Sequence, residues 1–104
     1  MQNKSDNYPV RVLAILEAKE ETRLHLKDVL VSLVIPARKE EGNISYDLHY
    51  SIENPNEFLI DEVWSNQTAF DKHYQSPKSH KDRDTVSSLL TKPLLIKTYV
   101  NIYD

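Results

Sequence analysis

The sequence predicts an α+β fold of the ferredoxin-like kind, β-α-β-β-α-β, with an antiparallel sheet carrying its helices on one face. Three observations predict it. Two segments near the ends of the chain, Val10–Ala18 and Leu94–Ile102, alternate with apolar residues on both faces, as covered strands do. Between them, residues 43–51 and 57–65 alternate at period 2 around the turn Glu53-Asn54-Pro55-Asn56, which reads as an antiparallel hairpin. Each half of the chain also carries a segment of helical period, one after the first strand and one after the third.

The bulk composition fits one modest globular domain spanning residues 1–104. The chain has 104 residues, 39% hydrophobic and 28% charged. A net charge of −3 lacks the basic footprint of a nucleic-acid binder. No apolar run approaches the roughly 20 residues of a membrane span, and the polar segment 1–7 has no apolar signal core, so the expected location is the cytoplasm. The absence of cysteine removes thiolate nucleophiles, disulfides and Cys-based metal sites. The single glycine, Gly42, rules out a glycine-rich phosphate loop.

In chain order, residues 1–8 read as a loose arm. The first strand places Val10, Val12, Ala14 and Leu16 on one face and Leu13 and Ile15 on the other. A helix from about Glu20 to Arg38 follows, its apolar stripe made by Leu26, Val29, Leu30, Leu33 and Ala37. Pro36 removes one donor near its end and is expected to kink or tighten the last turn; Gly42 supplies the left-handed cap. Ile44, Tyr46, Leu48 and Tyr50 share one face of the second strand. Phe58, Ile60, Glu62 and Trp64 share one face of the third. A short helix over residues 66–74, capped by Ser65 or Asn66, ends at Ser76-Pro77. The polar run Lys78–Asp84 reads as a solvated loop, a lid or a weak anion site, ahead of a weak helix near Thr85–Leu90. Helices that cover one sheet face leave the other bare, although the first and last strands in the sequence are apolar on both. A second copy is the simplest cover, and the expected partner is therefore an identical subunit packed face to face.

The stretch Glu62–His73 carries the chemistry. Glu62 lies in an apolar row, where an unpaired carboxylate is costly, and Trp64 ends that row. Phe70 and His73 fall on one stripe of the next helix, so an acid, an indole and an imidazole face one partly apolar space. A buried helix histidine, a salt-bridged glutamate and core aromatics are the plainer readings of these same residues. The four histidines, His25, His49, His73 and His80, include no i, i+4 pair of the kind that binds zinc on a helix, so no metal site is expected.

In this ordered set the chain resembles the antibiotic biosynthesis monooxygenase family. The set comprises Glu40-Glu41-Gly42 after the first helix, Tyr46 on the next strand, Glu62-x-Trp64, His73 nine residues after that Trp, the Ser76-Pro77 break, a leucine-rich stretch before Pro93, and Tyr99 on the last strand. The resemblance implies a dimeric α+β barrel and, in the quinol and anthrone branch, oxygenation of a small aromatic molecule by O2 with no cofactor. His73 would then be the base and Glu62 its partner, with Trp64, Tyr46, Phe70 and His80 at the substrate. The sequence departs from the pattern at Lys78, where relatives of the quinol type carry a second His. The haem-degrading branch uses an Asn on the first strand, and Val10–Ala18 has none. Asn43 resembles the branch that isomerises a phosphorylated sugar, which leaves a proton-transfer isomerase as the alternative. A dimeric module that binds a small ligand without converting it is the second alternative.

Overall fold

The computed structural model describes residues 8–102. It contains β1 (Val10–Glu17), a 3-10 turn (Glu20–Thr22), α1 (Arg23–Arg38), β2 (Asn43–Tyr50), β3 (Glu57–Trp64), α2 (Gln67–Tyr74), α3 (Pro77–Ser87) and β4 (Leu95–Val100). The strands form one sheet in the order β2-β3-β1-β4, and every neighbouring pair is antiparallel. The ferredoxin-like α+β fold is thus what the chain adopts. Most of the expected arm and the terminal Tyr103 lie outside the described residues. Among the described residues, no helix is long and apolar enough to cross a membrane.

β1 and β3 are the central strands, and their pairing builds the floor of the site. Val10 lies opposite Trp64, Val12 opposite Glu62 and Ala14 opposite Ile60. The face these residues share is buried under the helices. α1 docks on it through Leu26 and Leu30, which are 0% and 1% exposed, and through Ala37. Truncating either leucine to alanine would cost about 2–5 kcal/mol. The helix starts at Arg23, later than its acidic approach suggests, because Glu20–Thr22 winds as a 3-10 turn. Pro36 sits in the last turn, which tightens: Lys39 N–H donates to the Pro36 carbonyl and Glu40 N–H to that of Ala37, both i→i−3 bonds. Gly42 then takes φ +86°, the left-handed cap conformation that favours glycine.

Three expectations need correction. Ile44 does not share Tyr46's buried face, because a bulge between Asn43 and Ser45 turns it outward, 59% exposed. Lys78–Asp84 is not a loop: α3 runs unbroken from Pro77 to Ser87. Ser76 caps it by accepting from the Ser79 N–H, Pro77 occupies the first turn where a missing donor is harmless, and Lys78 pairs with Asp82 one turn on. Its first turns lack a sequence signal because the helix buries only Ser79 and Val86, too little for an apolar stripe. β4 is an edge strand, exposed along its length except at Ile96.

The buried residues fall into two clusters. The larger joins α1, the sheet and the end of α3 through Leu26, Leu30, Phe58, Ile60, Val86 and Leu90, with Tyr46 at its border. The smaller holds Val10, Val12, Trp64 and Phe70. Ile96 packs against both. The opposite sheet face carries half-buried Leu13, Ile15, Leu59 and Val63 beside exposed Leu95 and Tyr99, with an Arg11–Asp61 ion pair at 2.8 Å among them.

Candidate functional site

Where the two clusters meet, helices and sheet enclose a cavity of about 90 Å³, partly open to solvent. Its walls are mostly apolar: Val12, Ala14, Ile60 and Ile96 of the sheet, Leu30, Leu33 and Ala37 of α1, and Val86 of α3. Its polar groups are Glu40, Tyr46, Glu62 and His73, with Lys78, Ser79, Asp82 and Arg83 contributed by α3. An apolar pocket with a few convergent polar groups is the form that small-molecule sites take.

Each polar group is placed by local structure. Glu62 faces inward because β3 alternates and Ile60 and Trp64 flank it on the covered face. His73 lies in the last turn of α2, a helix started by the Asn66 side chain, whose oxygen accepts from the Ala69 N–H at 2.8 Å. Glu40 lies in the turn between α1 and β2. Its backbone is held on both sides, its N–H donating to the Ala37 carbonyl and its carbonyl accepting from Asn43 N–H.

These residues form a connected chain. Trp64 Nε1–H donates to Glu62 Oε1 at 2.9 Å. Glu62 Oε1 stands 3.9 Å from His73 Nε2, in ion-pair range but too far for a hydrogen bond. His73 Nδ1 is 2.8 Å from Glu40 Oε2. The imidazole also lies against the Trp64 indole, ring centroids 4.6 Å apart and planes inclined 30°. Glu62 is buried, and burial pushes its carboxyl up from 4.5 to about 7; the charges of Glu40 and Asp61 push the same way, and the Trp64 N–H opposes them. Near neutral pH Glu62 therefore holds both a protonated and an ionised form. Burial also raises the Tyr46 hydroxyl well above the ordinary tyrosine value, with the Glu62 charge adding to it, so Tyr46 faces the cavity as a neutral donor.

The structure brings His73, Glu62, Tyr46 and Phe70 to one cavity. Two expected members lie elsewhere. Trp64 does not form cavity wall: it is 0% exposed and stands behind Glu62 and His73. His80 lies on the exposed side of α3, its Nδ1 3.2 Å from Arg83 Nη2, and does not reach the cavity. His25 and His49 are exposed, as their positions suggest. Sequence reasoning passed over Glu40 as a partner of His73, although the Glu40-Glu41-Gly42 run marked its turn; residues 40 and 73 meet only through the fold. It also missed the α3 wall and the Arg83 guanidinium, which lies 3.8 Å over the Tyr74 ring. Among the described residues, no group of three or more His, Asp or Glu side chains is arranged to hold a metal ion.

Comparison with known proteins bears on the fold and the family. Residues 9–82 match the family model described as antibiotic biosynthesis monooxygenase. The chain is 33% identical over 88 residues to "Putative monooxygenase Rv0793" of Mycobacterium tuberculosis, covering 85% of this chain and 86% of that protein. The solved structure of Rv0793 superposes with a TM-score of 0.86 at 30% identity, covering 92% of this chain and 97% of that one. A Synechocystis protein, sll1783, is 32% identical over 96 residues, which are 92% of this chain; the match spans 65% of the Synechocystis protein's length. Fold, ordered motifs and these matches together show that the chain belongs to the antibiotic biosynthesis monooxygenase family.

Proposed function

We propose that the protein is a cofactor-independent monooxygenase that oxidises a quinol-like or phenolic small molecule with O2. One observation carries the proposal: His73 Nε2 and the buried Glu62 carboxyl stand 3.9 Å apart at the wall of an apolar cavity. A substrate oxygen or an acidic C–H placed in the cavity facing the pair is in reach of a base and of an acid at once. Cofactor-free oxygenation needs that pairing. The imidazole removes one substrate proton, and the electron-rich anion passes one electron to O2. The resulting radicals join at carbon to give a peroxide. The peroxide takes a proton; the hydrogen still on that carbon then leaves as a proton, the O–O bond breaks with loss of hydroxide, and the carbon becomes a carbonyl as the two depart as water. Apolar walls suit this sequence by keeping bulk water from the anion. The neutral Tyr46 hydroxyl and protonated Glu62 supply donors for the developing oxyanion.

The reading includes a homodimer. Leu13, Ile15, Leu59 and Val63, with Leu95 and Tyr99, make an apolar sheet face that no helix among the described residues covers, and a second copy covers it by symmetry.

The proposal is tested by oxygen uptake of metal-stripped protein against a panel of quinols and anthrones. Uptake by the natural chain and its loss in His73→Ala support the proposal; uptake unchanged in that variant overturns the role of His73. A second reading, isomerisation of a small phosphorylated carbonyl compound, is favoured by Lys78 and Arg83 at the cavity wall. It predicts turnover without oxygen, which an anaerobic assay separates. A module that binds without converting predicts thermal stabilisation by ligand and no product in any atmosphere.

A further inference from the structure

We infer that Glu40 is a positioning residue that fixes the tautomer of His73: its carboxylate holds the proton on Nδ1 and leaves Nε2 as the open acceptor toward the cavity. The inference rests on the reading of His73 as the base and names what makes it one. A neutral imidazole carries one proton, and the partner of one ring nitrogen decides which nitrogen bears it. An ionised carboxylate can only accept. With Glu40 Oε2 at 2.8 Å from Nδ1, the pair closes as a hydrogen bond only if Nδ1 is the donor. Nε2 has no such partner, since Glu62 Oε1 is 3.9 Å away.

The exposures fit the division of labour. The Glu40 side chain is 37% exposed, that of His73 16% and that of Glu62 7%. The outer carboxylate keeps its contact with solvent, whereas Glu62 is pushed up by its burial. The arrangement is also built. Gly42, two residues after Glu40, packs so closely on α2 that a Cβ there would lie 2.5 Å from Ala69 Cβ, one turn before His73. Its carbonyl accepts from Ser65 N–H at 2.7 Å. The turn that carries Glu40 is thereby clamped against the helix that carries His73. The other charged groups on the cavity wall are otherwise engaged: Lys78 pairs with Asp82 at 2.7 Å, and Arg83 lies over Tyr74.

The test is nitrogen-15 NMR of the imidazole in the full chain at a pH where His73 is neutral, for the natural protein and for Glu40→Ala and Glu40→Asp. The natural protein is expected to show an Nδ1–H, Nε2-acceptor pattern for His73. Glu40→Ala should shift the tautomer ratio by about tenfold toward Nε2–H, and Glu40→Asp should restore part of the natural ratio. The Trp64 indole N–H resonance, held by Glu62, reports whether the fold and inner site survive each change. An Nε2–H pattern in the natural protein, or a ratio unmoved in Glu40→Ala, overturns the inference. The readout needs no substrate, so it stands or falls apart from oxygenation. Where a substrate is turned over, Glu40→Ala should lower kcat by up to about tenfold with KM nearly unchanged, the signature of a misdirected base.

Discussion

Replacing Glu62 by glutamine should make the protein markedly less sensitive to rising pH. An ordinary glutamate releases its proton near 4.5, whereas Glu62 in the folded protein holds its proton until about 7. Between those values the folded chain binds more protons than the unfolded one. Stability is therefore highest below about 4.5 and falls as pH rises through 7, because ionising a buried carboxyl is unfavourable. At 1.36 kcal/mol per pH unit the total is about 3 kcal/mol, of which about 2.5 kcal/mol is lost between pH 5 and pH 8. Glutamine has the same shape, keeps an oxygen for the Trp64 N–H, and does not titrate. Urea unfolding of both proteins at pH 5 and pH 8, at one protein concentration, isolates the effect because all other groups are shared. The natural chain should lose about 2.5 kcal/mol more than Glu62→Gln across that interval. Parallel pH dependences would refute the argument that Glu62 is buried and holds its proton to near neutrality.

Three other outcomes follow from the same geometry. Trp64→Phe removes the one hydrogen bond that favours ionised Glu62, so the Glu62 carboxyl should titrate higher still by carbon-13 NMR; the lost contacts should destabilise the fold by about 1–3 kcal/mol. Gly42→Ala forces a side chain onto φ +86° and into Ala69, which should cost about 1–3 kcal/mol in urea unfolding and loosen the Glu40–His73 contact. Leu13→Asp, on the bare sheet face, should convert the proposed dimer to monomer in sedimentation equilibrium while leaving the circular dichroism spectrum intact.

Strand alternation revealed most of this fold because the two central strands each present one buried face, and the row Phe58, Ile60, Glu62, Trp64 appears in the structure as it reads in the sequence. The same alternation placed Glu62 inside, and helical period placed Phe70 and His73 beside it. What could not be read depended on contacts between distant residues or on weak burial. Glu40 and His73 lie 33 positions apart, and only the Gly42 turn brings them together. α3 carries caps but no apolar stripe, so its clearest signal was Ser76-Pro77, which also reads as a break. The resemblance places Trp64 at the substrate, yet the position opposite Val10 buries it completely behind the imidazole. The resemblance places His80 at the substrate, but the turn of α3 directs it to solvent.

The central claim is that His73 takes a proton from the substrate before oxygen reacts. The most direct measurement mixes protein with a quinol or anthrone under strict exclusion of oxygen and records the absorbance of the substrate anion. The natural chain should generate the anion stoichiometrically with bound substrate, His73→Ala should not, and admitting O2 should discharge the anion as product appears. Anion formed equally well by His73→Ala, or product formed with no anion preceding it, would contradict the account.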